Sequence, residues 1–286
     1  MSAAHSLNRI LSKPKADDGA NIRKLRRMIL VEGIPSNEDP TLRPRIWKIL
    51  LRVADLSADS YLHYVSKGPC EVREKIRNDT FRQNSGNRPR LQRACSRGYA
   101  DPFTRRLCLA KPWQVTPGMN VLAAPFLYTM PSELEAFFCF SKFIEESCPL
   151  YVVPTLEGVH RGLKLLDKCL KIVDPELFSH LRSKNLSAEI YAFPSILTLC
   201  ACTPPLDQVL QLWDFLLAFG VHLNVLCVIA QLLLMRDELM SSLSPMRLLR
   251  TFPPLEAMPV IGIAVTLVRD LPPELYDELV KHPFLL

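Results

Sequence analysis

The residues of this chain best suited to chemistry are a carboxylate and a guanidinium three positions apart, Asp79 and Arg82, in the stretch Ile76-Arg77-Asn78-Asp79-Thr80-Phe81-Arg82. On a helix such positions share a face, so Asp79 would orient the Arg82 side chain while Ile76 anchors the turn before them. A guanidinium held that way is a planar, permanently charged fork that matches phosphate oxygens better than an ammonium does. Donated in trans to a GTPase, one arginine is worth roughly 10³ to 10⁵ in rate. The same spacing also suits an ordinary surface ion pair worth about 0 to 1 kcal/mol. Arg77 is a rival guanidinium on another side of the same stretch.

The elements that would position these groups are helical. With 286 residues, 48% of them hydrophobic, the chain is long enough for one large domain or two close-packed subdomains with a substantial core. Only 10 glycines accompany 24 prolines, and pairs such as Pro204-Pro205, Pro253-Pro254 and Pro272-Pro273 sit at the edges of leucine-rich runs, as helix punctuation does. The nine cysteines have no C-x-x-C spacing and no signal peptide precedes them, which predicts reduced, buried thiols in a cytoplasmic protein. His222 and Cys227 lack a second pair to complete a tetrahedral set, so no metal site is expected. The net charge of +6 concentrates at Lys13 to Arg27 and at Arg82 to Lys111; such patches attract nucleic acid, anionic lipid or an acidic protein, or are solvated loops.

Along the chain, residues 1–20 carry little apolar periodicity and are expected as a mobile arm. Ile22, Leu25, Met28, Ile29 and Val31 predict a helix ending near Gly33, and Ile46, Trp47, Leu50 and Leu51 predict a second. Residues 57–75 read as helical. Ser132 caps a helix with Glu133 and Glu135 in its first turn and Phe137, Phe138, Phe140, Phe143 and Ile144 on its buried side. Helices are expected over Leu156 to Ile172, Pro175 to Leu181 and Asp207 to Phe219, the last closed by Gly220. Val221 to Met235 is too short and too polar to span a bilayer and reads as the central core helix. Three more follow, from Ser244-Pro245, over Pro259 to Val268 and over Pro273 to Val280. Strand signals are few, so the expected architecture is all-α, with Trp47 and Trp213 as core anchors and Asp214 as a buried helix-terminal partner.

Four fragments in this order resemble the fingerprints of the TBC domain of Rab-type GTPase-activating proteins: Arg43-x-x-x-Trp47 with Leu50, Ile76-x-x-Asp79-x-x-Arg82, Gly118-Met119-Asn120, and Ser195-Ile196-Leu197 through Leu212-Trp213-Asp214. The resemblance covers roughly residues 25–255. Asn120 to Tyr128 is most similar to the fungal mitotic-exit checkpoint branch, the yeast Bub-two and fission-yeast Cdc-sixteen type. It implies two all-α subdomains, an arm at 1–20, a TBC domain over 21–255 with an atypical basic segment at 83–116, and C-terminal helices at 256–286 packed on the domain. It further implies an arginine finger, Arg82, oriented by Asp79; GTPase-binding residues at Arg43, Trp47, Gly118, Met119 and Asn120; and structural roles for Ile76, Trp213 and Asp214. The implied partners are a small Ras/Rab-like GTPase and a scaffold subunit of a two-component activator. No cofactor of its own is implied, since GTP and Mg belong to the GTPase. The implied role is restraint of mitotic exit or septation, in the cytoplasm and at the spindle pole body.

The family's second finger, a glutamine in Tyr-x-Gln-Gly, is missing. The corresponding stretch is Val115-Thr116-Pro117-Gly118, and a proline has neither a side-chain amide nor a backbone donor with which to hold a water. A catalytically impaired module that binds a GTPase or scaffold is therefore the alternative reading. A nucleic-acid binder is the third, and the basic stretch lacks the interleaved aromatics that role needs. Residues 83 to about 116 show no helical or strand period, and Gln83 stands where a threonine usually follows the finger. We read them as a mistranslated or retained piece of gene sequence. Sequencing the messenger is expected to return a transcript that departs from these residues between Arg82 and Gly118; one that encodes them unchanged ends the reading.

Overall fold

The computed structural model describes residues 3–12, 19–66, 116 and 118–285, and every element among them is helical. The chain divides into two units, Met1–Ser147 with Trp213–Phe219, and Cys148–Leu212 with Gly220–Leu286. Ile76, Asp79, Arg82, most of the basic segment 83–116 and Pro117 lie outside the described residues.

In the first unit, α1 (Ala3–Leu11) packs on α2 (Gly19–Glu32) and α3 (Leu42–Leu50). The arm expected over residues 1–20 is thus corrected over residues 3–11: Ala4, Leu7 and Ile10 are buried on one side of a helix. Nine residues without a capping pair are too few to hold a helix alone, and tertiary docking supplies what local propensity does not. Asn8 secures the docked turn, donating through Nδ2 to Asp39 at 3.1 Å and accepting from Arg45 at 2.8 Å. Helix α2 ends as expected, with Gly33 in the left-handed region.

Helix α4 (Ala58–Ser66) is followed, across the undescribed stretch, by α5 (Met119–Thr129) and α6 (Glu133–Ser147), which pack together. Gly118 opens α5 at φ 83°, a conformation that favours glycine, and its carbonyl accepts from the N–H groups of Val121 and Leu122 at 3.0 Å. Ser132 starts α6 as the sequence predicts, accepting from the Glu135 N–H at 3.2 Å.

The second unit is built on α7 (Glu157–Val173). Helices α8 (Pro175–Ser183), α9 (Ala188–Tyr191) and α10 (Phe193–Leu197) pack against it. Helix α11 (Leu206–Phe219) divides its residues between the two units. Gly220 follows at φ 121° with the His222 ring so close that a Cβ would lie 2.5 Å from it, so only glycine fits. Helix α12 (Asn224–Leu234) is buried on all sides from Asn224 to Leu232, and its two amides donate inside: Asn224 Nδ2 to the Ser195 carbonyl at 3.1 Å and Gln231 Nε2 to that of Cys227 at 3.3 Å. The central core helix expected from Val221 is therefore present, shortened by a 3-10 turn over Val221–Leu223.

Three short or medium helices follow, α13 (Arg236–Ser241), α14 (Pro245–Leu249) and α15 (Ala257–Leu267), with α15 against α12. Helix α16 (Pro273–Lys281) lies on α7. Asp174 caps α8 by accepting from the Leu177 N–H at 2.9 Å and also accepts from Arg236 Nε at 2.6 Å, tying α13 to α8. No helix among the described residues is long and apolar enough to cross a membrane.

Two buried imidazoles lie under α16. His282 is fully buried, sharing a hydrogen bond of 3.0 Å between Nε2 and the Tyr151 hydroxyl while Nδ1 donates to the Leu279 carbonyl. Burial holds both His222 and His282 down to about 4. The unfolded rings take up protons near pH 6.5, so stability contributed by keeping them neutral is full at neutral pH and is lost as pH falls toward 4. Chemical denaturation at pH 7 and pH 5 is expected to show a loss of roughly 2 kcal/mol per ring. The loss should shrink in His282→Gln, and a flat profile in the parent chain counts against the assignment.

Candidate functional site: a buried ion pair beneath a tryptophan cluster

On α3 the four-residue spacing of Arg43 and Trp47 points both side chains to one side of the helix, and there they meet a single carboxylate from α11. Arg43 Nε donates to both oxygens of Asp214, at 3.0 and 3.1 Å, and Nη2 donates to Oδ2 at 3.0 Å. Trp47 Nε1 donates to Oδ1 at 2.7 Å. The carboxylate is 2% exposed and the guanidinium 12%, so the pair is withdrawn from water, and both carboxylate oxygens accept charge-assisted or indole hydrogen bonds.

Aromatic rings enclose it. The Trp47 indole stacks on that of Trp213 with centroids 6.3 Å apart, and Phe126 from α5 meets both indoles edge-on at 5.4 and 5.7 Å. Phe143 from α6 lies 5.4 Å from Trp213. Such offset and edge contacts add to the apolar area buried. Burial pushes the Asp214 carboxyl up to about 6, while the Arg43 guanidinium and the indole N–H pull the other way.

These positions alter the sequence reading of the binding residues. Trp47, Met119 and Asn120, expected at the GTPase surface, are 0%, 1% and 4% exposed and offer a partner almost no area. Arg43 spends its guanidinium on Asp214. Of that set, Gly118 alone is neither buried nor engaged through a side chain, and it supplies the left-handed turn into α5. Trp213 is 1% exposed and Asp214 2%.

Phe126 was not singled out from the sequence, and the one signal for it was its place in the long apolar run of α5. Lys48, beside Trp47 on α3, is paired with Glu135 at the start of α6.

Among the described residues no group of three or more His, Cys, Asp or Glu could hold a metal ion. The described cysteines form no disulfide, and burial pushes the thiols of Cys139 and Cys200 up to about 12, so they do not serve as nucleophiles. The knot fixes α3 against the Trp213–Phe219 part of α11, so the first of the four sequence fragments is held to the end of the last.

With that geometry in place, the comparisons with known proteins are unambiguous. The Rab-GTPase-TBC domain model matches residues 111–240, and the chain belongs to that family. Its relatives include cell division control protein 16 of Schizosaccharomyces pombe, 44% identical over 96% of this chain and 93% of that protein. Another is the mitotic check point protein BUB2 of Saccharomyces cerevisiae, 38% identical over 97% of this chain and 96% of that protein. The fold is that of the Ypt/Rab-GAP domain of Gyp1p, with a TM-score of 0.66 at 16% identity over 92% of this chain and 97% of that one. The TBC domain of Skywalker/TBC1D24 from Drosophila melanogaster gives a TM-score of 0.68 at 16% identity, covering 100% and 97%. The chain is a TBC-type member of the GTPase-activating proteins, homologous to these checkpoint proteins.

A double-mutant cycle measures the knot. Asp214→Ala is expected to cost about 3 to 5 kcal/mol, because it leaves a nearly buried guanidinium and an indole N–H without their acceptor. Adding Arg43→Met to it should recover part of that cost. Denaturant unfolding of the four proteins reads the coupling, and strictly additive costs would refute it.

Proposed function

We propose that this chain accelerates GTP hydrolysis by a small Ras/Rab-like GTPase, with Arg82 entering the nucleotide site of that GTPase and Asp79 orienting it. The guanidinium would neutralise charge that develops on the transferring phosphoryl group, where a fixed cation acts without reorganisation. One observation carries the reading: Ile76-x-x-Asp79-x-x-Arg82 lies in order between the fragments whose residues Arg43, Trp47, Trp213 and Asp214 meet in one buried knot. In this reading Arg43, Trp47, Met119 and Asn120 serve recognition indirectly, by holding α3 and α5 rigid, and Gly118 sets the backbone at the edge of the contact.

The relatives' names, a cell division control protein and mitotic check point proteins, support a negative regulator of mitotic exit or septation. That role includes a scaffold subunit as partner and work in the cytoplasm at the spindle pole body. Pro117 favours a second reading, a module that binds a GTPase or scaffold without speeding hydrolysis, since no amide stands at that position to hold the attacking water.

Single-turnover hydrolysis with a panel of GTP-loaded small GTPases separates the two. The parent chain is expected to stimulate one of them, Arg82→Ala to lose roughly 10³-fold or more of that stimulation, and Pro117→Gln to retain or raise it. Retention of a GTPase in pull-down with no stimulation by any version would establish the second reading.

A further inference from the structure

Helix α2 carries a feature to which the proposed GTPase activation assigns no part. Leu25, Met28 and Ile29 are its buried residues, and at 100° per residue Arg23, Lys24, Arg26 and Arg27 all fall on the half opposite them. All four are exposed. None forms an ion pair with any described residue, in contrast to Arg43, Lys48, Arg182 and Arg236, each of which has a carboxylate partner. The sole acid of the helix, Glu32, lies at its last position and on the side of the buried residues. Four like charges within five positions repel one another, and an anionic counterpart outside the chain would relieve that repulsion.

The face also carries apolar area. Val31 is 65% exposed and lies on the same half, one turn beyond Arg27. We infer that this face of α2 docks on an anionic phospholipid surface, with the four cations at the headgroups and Val31 at the boundary below them. A convex side of a single helix fits a broad planar surface. The helix has no aromatic side chain on which a nucleic-acid base could stack, whereas cations flanking an exposed aliphatic are what an interfacial helix presents. The inference is independent of the proposed GTPase activation.

Each basic residue near an anionic leaflet strengthens partition about five-fold, so four together supply roughly several-hundred-fold, enough to assist another attachment and too little to anchor the protein alone.

The test is co-sedimentation of the full chain with vesicles of phosphatidylcholine containing about 30 mol% phosphatidylserine, and with phosphatidylcholine alone, at low salt and at about 0.3 M, where the Debye length is short. Binding is expected to the anionic vesicles only, to fall with salt, and to disappear in Arg23→Gln/Lys24→Gln/Arg26→Gln/Arg27→Gln. These exposed substitutions should leave the unfolding midpoint and the GTPase stimulation in vesicle-free solution unchanged. Retained sedimentation by the quadruple variant would assign lipid contact elsewhere and overturn the proposal, as would absence of binding by the parent chain. Tighter binding to poly-glutamate or to an RNA oligonucleotide, lost with the same four changes, would overturn it in favour of an acidic protein or a nucleic acid. Loss of GTPase stimulation in the variant would place the face in the GTPase contact and overturn it as well.

Discussion

Asp214 is the residue on which the first unit turns. A carboxylate out of water is costly unless its oxygens are satisfied, and here a guanidinium and an indole N–H converge on both of them. Neither donor has another acceptor within the knot, so the three residues stand or fall together. Because Arg43 and Asp214 are 171 positions apart, the contact can form only after the chain between them has folded back. The aromatic enclosure then keeps water away, which strengthens the same hydrogen bonds that make it tolerable to exclude water. In a protein whose proposed work is to hold one arginine at a fixed point, rigidity at this remove is useful in itself, since misplacement of a catalytic group by about 1 Å costs roughly 10²-fold.

Much of the helical framework was legible because its signals are local. Ser132 with Glu135, Pro175 at the head of α8, and glycine after α2 are stop and start marks that need no tertiary context, and the structure uses each of them. Helix α1 was not legible, since its three buried positions are too few to stand out as a period and its stability is lent by α2 and α3. The residues of the knot were legible and their meeting was not. Trp47, Trp213 and Asp214 read as core and helix-terminal residues, and a recognition role for Arg43 and Trp47 came only from the resemblance; Asp214 is far away in sequence, and in space its carboxylate turns both inward. Met119 and Asn120 were misplaced for a similar reason, because a short fragment discloses which residues recur and not which way they face.

The second unit meets the problem of buried polarity differently. Its central helix α12 has no charge, and its two amides bond to main-chain carbonyls, one on the helix itself. Its main ion cluster is more open to water than the Arg43–Asp214 pair, since Arg236, 33% exposed, joins Asp174, 11% exposed, and Glu176, 70% exposed. One unit thus stakes its integrity on a desolvated ion pair, the other on hydrocarbon packing and neutral hydrogen bonds.

The docked position of α1 bears on any shortened form of the chain. A polypeptide begun at Gly19 would keep the caps and faces of the later helices, yet it would lose the lid over α2 and α3, together with the clasp that Asn8 makes to Asp39 and Arg45. The bared aliphatic seam would then seek the same seam on a neighbouring molecule, and trimming would yield a sticky protein rather than an unfolded one.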